Sequence, residues 1–143
     1  MTAPPRPPPL TEPRAADLSV GVIANPAAGR DVRRVLGWAS VVPTTEKINI
    51  ALRLLGALGQ QGVRTAWMLP DSAGIAAQVR DASALARQRR GLPMPEVRLL
   101  TLRIADRASD SAAATAAMVA LGVRLIAVIG GDGTHRAVAS RCG

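Results

Sequence analysis

Ala127-Val128-Ile129-Gly130-Gly131-Asp132-Gly133-Thr134 decides the fold class of this chain. An apolar run passes directly into three glycines around one aspartate, and a threonine comes next, where a helix opens. The apolar part reads as a buried strand. The glycines read as a turn with positive φ in which backbone comes close to a ligand. Exposed N–H groups of such a turn, backed by a helix N-terminus, attract phosphate. Asp132 is out of place beside an anion unless it holds Mg²⁺ or takes a proton from an attacking hydroxyl. The spacing is neither GxGxxG nor GxxxxGK[ST], and it suits phosphoryl transfer more than dinucleotide binding. The plain alternative is a tight turn capped by Asp132, but a cap does not need three glycines. Thr134 is placed to cap the helix or to give its hydroxyl to a phosphate.

Upstream, the same grammar repeats. The run 18–24 is an apolar strand that breaks at Asn25-Pro26-Ala27-Ala28-Gly29-Arg30, a turn by composition. A helix begins at Thr44 or Thr45, which offer caps, with Glu46 in its first turn and Ile48, Leu52, Leu55 and Leu58 as its apolar stripe. Gly62 ends it. Ala66 to Leu69 is a second strand stopped by Pro70, and Asp71 or Ser72 caps a helix with the stripe Ile75, Val79, Ala82 and Leu85. Val97 to Leu102 is a third strand. Ser109, Asp110 and Ser111 start a helix closed by Gly122, and Val123 to Ile129 is the fourth strand.

Strands alternating with helices predict an α/β domain with an open, mostly parallel, Rossmann-like sheet covered on both faces. Ligands of such sheets bind outside the carboxyl ends of the strands. Both turns come directly after strands, so both reach that edge. If the first and fourth strands are neighbours, the turns flank one crevice. Asn25, Gly29 and Arg30 then join the glycine turn, with the Arg30 guanidinium as a fork for phosphate. His135 and Arg136 lie just past the turn and read either as surface residues or as ligand contacts. Asp110 and Ser111 read as helix caps, Glu46 and Lys47 as an exposed helix start, and Trp38 and Trp67 as packing.

Composition sets the class. The 143 residues suit one domain, and 48% hydrophobic with 20% charged residues suits a water-soluble one. No run approaches the roughly 20 apolar residues of a membrane span. Residues 1–17 are proline-rich and read as a flexible arm, with no apolar signal core. The single cysteine, Cys142, excludes a disulfide framework, and a cytoplasmic location is expected. The net charge of +8 comes almost wholly from scattered arginines, Lys47 being the one lysine. Two tryptophans without tyrosine or phenylalanine give single-stranded nucleic acid little to stack on, so a solvated surface is expected over a nucleic-acid partner.

Gly130 to Thr134 after one strand and Asn25-Pro26-Ala27-Ala28-Gly29 after another resemble the NAD kinase and diacylglycerol kinase superfamily. Ile23 to Asp31, Thr45-Glu46-Lys47-Ile48-Asn49-Ile50 and Gly130 to Val138 narrow the likeness to bacterial NAD-kinase-like proteins associated with acetoin catabolism. The resemblance spans 18–143. It implies the N-terminal domain of the NAD kinase fold, with ATP and Mg²⁺ as cofactors and ATP, together with NAD as one candidate acceptor, as nucleotide partners. Within it Asp132 is the catalytic residue, and Asn25, Gly29, Arg30, Gly130, Gly131, Gly133, Thr134, His135 and Arg136 bind the nucleotide. In such proteins a β-rich second domain comes next, and none stands after Gly143. A one-walled crevice is therefore expected to hold nucleotide without turnover. The alternatives are a chain that binds nucleotide or nothing with no turnover, a lipid kinase domain of the diacylglycerol type, and a basic interaction module. Homo-oligomerisation stays open.

Overall fold

The computed structural model describes residues 18–26, 42–105 and 107–142. Strand β1 (Ser19–Ala24) leads to helix α1 (Thr44–Gln60), β2 (Thr65–Met68), α2 (Ile75–Arg90), β3 (Glu96–Leu99), α3 (Ala108–Ala120), β4 (Leu125–Ile129) and α4 (Asp132–Ala139). The four described strands form one sheet in the order β3-β2-β1-β4, and every pairing is parallel. This is the expected Rossmann-like α/β arrangement. The order runs outward from β1 to β3 and then reverses to β4, which puts a topological switch point between β1 and β4.

The alternation of side chains along each strand divides the core in two. On one face Val20, Val22, Ala24, Ala66, Met68 and Val97 pack with Ala51 and Leu55 of α1 and Ile75, Ala76 and Val79 of α2. On the other, Ile23 packs with Ala114 and Met118 of α3 and Val138 of α4, with Trp67, Ile126 and Val128 partly buried beside them. Gly21 lies against Met118, whose sulfur occupies the space a Cβ would need. Trp67 is a packing residue as expected, with the Arg98 guanidinium 5.9 Å from its ring centroid.

Several boundaries differ from expectation, each for a local reason. Thr44 and Thr45 do not cap α1; Pro43 holds the N-cap position, where its fixed φ of −60° suits the helix start and its missing N–H costs nothing. The buried stripe of α1 is centred on Lys47, Ala51 and Leu55 rather than on Ile48 and Leu52. The stripe of α2 is Ile75, Ala76, Val79 and Ser83, and Leu85 is exposed. Asp71 does cap α2, reaching the N–H groups of Ile75 and Ala76 at 2.9 and 2.8 Å. β3 ends at Leu99, directly opposite Met68, where its partner β2 also ends ahead of Pro70. β4 starts at Leu125, two residues later than the apolar run. Among the described residues no helix is long and apolar enough to cross a membrane. The proline-rich arm and Trp38 lie outside the described residues.

Candidate functional site

β1 and β4 pair in register from Val20↔Leu125 to Ala24↔Ile129, so both chains leave the sheet side by side at its carboxyl edge. Just past that edge, polar bonds tie together segments far apart in sequence. The Asn25 N–H donates to the Ile129 carbonyl at 3.1 Å. The Asn25 side-chain amide donates to the Thr134 hydroxyl oxygen at 2.9 Å, across 109 residues of chain. Asn25, which opens the turn after β1, is thus tied directly to the turn after β4.

The glycine turn is built differently from the expectation. None of Gly130, Gly131 and Gly133 has positive φ; among the described residues that conformation falls to Gly62, Gly74, Gly91 and Gly122 beside helix ends. Gly131 is the N-cap of α4 in extended backbone, φ −89° and ψ −178°. Its carbonyl accepts the N–H groups of Thr134 at 3.0 Å and His135 at 3.2 Å. Gly130 is confined by packing, since a Cβ there would lie 2.9 Å from Oγ1 and 3.0 Å from Cβ of Thr134. Gly133 is the opposite case, with no atom within 4 Å of a Cβ placed on it. A glycine in a first helical turn costs up to about 1 kcal/mol relative to alanine, and no described packing requires this one.

Thr134 does not cap the helix. It is the third residue of α4, 4% exposed, and its side chain lies inward where Asn25 reaches it. A hydroxyl that accepts this bond keeps its own proton to donate. Asp132 opens α4 and is exposed, an acid in the first turn where the helix dipole favours it. The first N–H groups of a helix have no intrahelical acceptor, and those of Asp132 and Gly133 have no backbone acceptor among the described residues. His135 is exposed and its Nδ1–H donates to the Gly131 carbonyl at 3.0 Å, which leaves Nε2 outward. Arg136 is exposed one residue further on. Gly29 and Arg30 lie outside the described residues.

Lys47 overturns its reading as an exposed helix start. It is 3% exposed, and its ammonium donates to the carbonyls of Asn25 at 2.8 Å and Pro26 at 3.4 Å. The signal was in the spacing: Lys47 stands four residues before Ala51 and eight before Leu55, on the buried stripe. Glu46 beside it behaves as expected, half-exposed and paired with Arg53 at 2.8 Å.

Beyond Asn25 the same edge continues as a narrow crevice lined by Asn25, Pro26, Asp71, Arg107, Asp110 and Ser111. Its volume is about 20 Å³, room for roughly one water. Asp110 serves α3 as a cap, taking the N–H groups of Ala105 and Arg107 at 2.9 and 3.1 Å. Among the described residues no group of three or more His, Cys, Asp or Glu could hold a metal. The donors at the glycine turn suit Mg²⁺ only as it is bound in phosphate sites, through one or two carboxylates plus phosphate oxygens and water.

No protein-family model matches the chain, and no solved structure matches it. A curated protein named acetoin catabolism protein X, from Cupriavidus necator, is 43% identical over 125 residues, or 87% of this chain. The chain spans about a third of that relative, 34% of its length.

Proposed function

We propose that this chain is the nucleotide-phosphate-binding part of an ATP-dependent phosphotransferase of the NAD kinase and diacylglycerol kinase superfamily, serving acetoin catabolism as its relative's name suggests. The observation that carries the proposal is the Asn25–Thr134 bond, which joins two post-strand turns at the switch point of a parallel sheet. Open α/β sheets bind their ligands at that place.

The roles come from the groups available. The N–H groups of Asp132 and Gly133 face a phosphate, and bare Gly133 lets its oxygens come close to the backbone; the Thr134 hydroxyl, directed inward to Asn25, supports the turn from behind. Asp132 is the one carboxylate on the turn. It holds the cation that accompanies the nucleotide or accepts a proton from the acceptor hydroxyl. Asp132 would hold the Mg²⁺ that accompanies ATP, and that ion would supply charge neutralisation for the phosphates. Asn25 fixes the start of the first turn, and Gly29 and Arg30 are assigned to the phosphate on the resemblance alone. His135 and Arg136 flank the phosphate, with Arg136 as a charge partner. The acceptor is a hydroxyl compound, with NAD as one candidate; choosing it belongs to the whole protein.

Calorimetric titration of the chain with Mg·ATP, ATP alone and NAD tests the proposal. Saturable Mg·ATP binding that Asp132→Asn or Gly133→Ala weakens at least tenfold is the expected result. No binding, or binding indifferent to both substitutions, contradicts it. In a full-length relative, unchanged kinase activity after the equivalent aspartate-to-asparagine change removes the role given to Asp132.

A further inference from the structure

Among the described residues, Asn25 is bonded to three separate elements. Its backbone N–H reaches β4, its side-chain amide reaches α4, and its carbonyl receives the ammonium of Lys47 from α1. Lys47 also reaches the Pro26 carbonyl, so its bonds act on the backbone of the turn itself. Burying an ammonium is costly until its partners compensate. An apolar side chain at this point of the α1 stripe would pack with Ala51 and Leu55 without that cost, so core packing does not account for a charge here.

We propose that Lys47 is a positioning residue of the phosphate site: its ammonium holds the carbonyls of Asn25 and Pro26 and, through Asn25, sets the Thr134 hydroxyl and the start of α4. It also places a positive charge beside Asn25 and Pro26 at the carboxyl edge, which favours an anionic ligand of several charges, such as the polyphosphate of a nucleotide. The inference rests on the phosphate-site reading for its ligand, but the mechanical coupling from α1 to α4 does not depend on it.

The test uses the full chain and has two parts. Without ligand, Lys47→Met is expected to move the amide resonances of Gly130, Gly131 and Gly133 and to speed hydrogen exchange of the Asn25 side-chain amide at least tenfold. Glycine resonances that stay in place in a folded Lys47→Met chain overturn the coupling. With Mg·ATP, the same variant is expected to bind at least tenfold more weakly, and unchanged affinity overturns the positioning role. If Lys47→Met does not fold, the native chain decides. Lys47 is its one lysine, so acetic anhydride labelling at that position reads cleanly by mass spectrometry. Labelling at least tenfold slower than in the unfolded chain, and slower again with Mg·ATP, supports the proposal. Labelling as fast as in the unfolded chain, or a rate that bound Mg·ATP leaves unchanged, overturns it. Failure of the native chain to bind Mg·ATP counts against the phosphate reading, and the ligand-free glycine shifts still decide the coupling.

Discussion

The two edges of the sheet differ in an instructive way. The amino edge holds the larger cleft, about 500 Å³, lined by Gly59, Gly62, Val63, Arg64, Arg87, Pro93, Met94 and Glu96. Its charged residues are exposed, and Glu96 spends its carboxylate on Arg98 at 2.9 Å. The carboxyl edge offers a crevice of about 20 Å³. Yet it gathers a buried lysine, a buried threonine and an asparagine into bonds that cross 22 and 109 residues. Room alone therefore does not mark the proposed site. Ordering buried polar groups from distant segments is costly, and that cost falls on the edge where the topology already places ligands.

The comparison breaks first at Thr134. Thr134→Val leaves the Asn25 amide without its acceptor in a part-buried place, which is expected to cost about 1–3 kcal/mol in urea unfolding. Combined with Asn25→Ala, the pair is expected to show a coupling of about 0.5–1.5 kcal/mol; additive effects would mean that the two turns are independent. Gly130→Ala comes next, since its methyl would press on the Thr134 side chain. A destabilisation of about 1–3 kcal/mol is expected from such overpacking, again read from urea midpoints. Gly133→Ala sharpens the contrast, because its methyl meets nothing. It is expected to raise stability by up to about 1 kcal/mol while weakening Mg·ATP, and a variant both more stable and equally tight would deny a ligand at that backbone.

The smallest effects belong to the amino edge. Arg64→Ala and Arg87→Ala are expected to leave Mg·ATP affinity within about twofold, because exposed charges at the far end of the strands are screened. The Glu96 carboxyl is held below its usual range by the hydrogen bond and charge of Arg98, with a further pull from Arg87. A depressed carboxyl stabilises the fold above its unfolded value, near 4.5, and that contribution fades as pH falls through the folded value. Glu96→Gln is thus expected to flatten the acid limb of a thermal-stability profile slightly and to change stability little at neutral pH. A large loss at pH 7 would show that this edge carries more than surface charge.

Much of the fold was legible because apolar runs end at Gly and Pro here. Gly62 and Gly122 close their helices with positive φ, and Pro70 stops β2, as the composition implies. The adjacency of β1 and β4 was legible only as a condition, since no local pattern encodes which parallel strands pair. The glycine turn was found for a reason that proved partly mistaken: its glycines serve close packing and an open helix start, not positive φ. Lys47 was hidden by its chemistry. A charged residue in a first turn suggests solvent, and only its place on the Ala51 and Leu55 stripe contradicts that. Thr134 looked like a cap because threonine caps well, but Gly131 with extended backbone stands where the helix begins.

The most direct measurement is an amide NMR titration of the chain with Mg·ATP. The account predicts that Gly130, Gly131, Asp132 and Gly133 shift together with the Asn25 side-chain amide, saturating at one common affinity. Shifts confined to Arg64, Arg87 and Glu96 at the opposite edge, or a glycine turn that stays still at saturation, would contradict it.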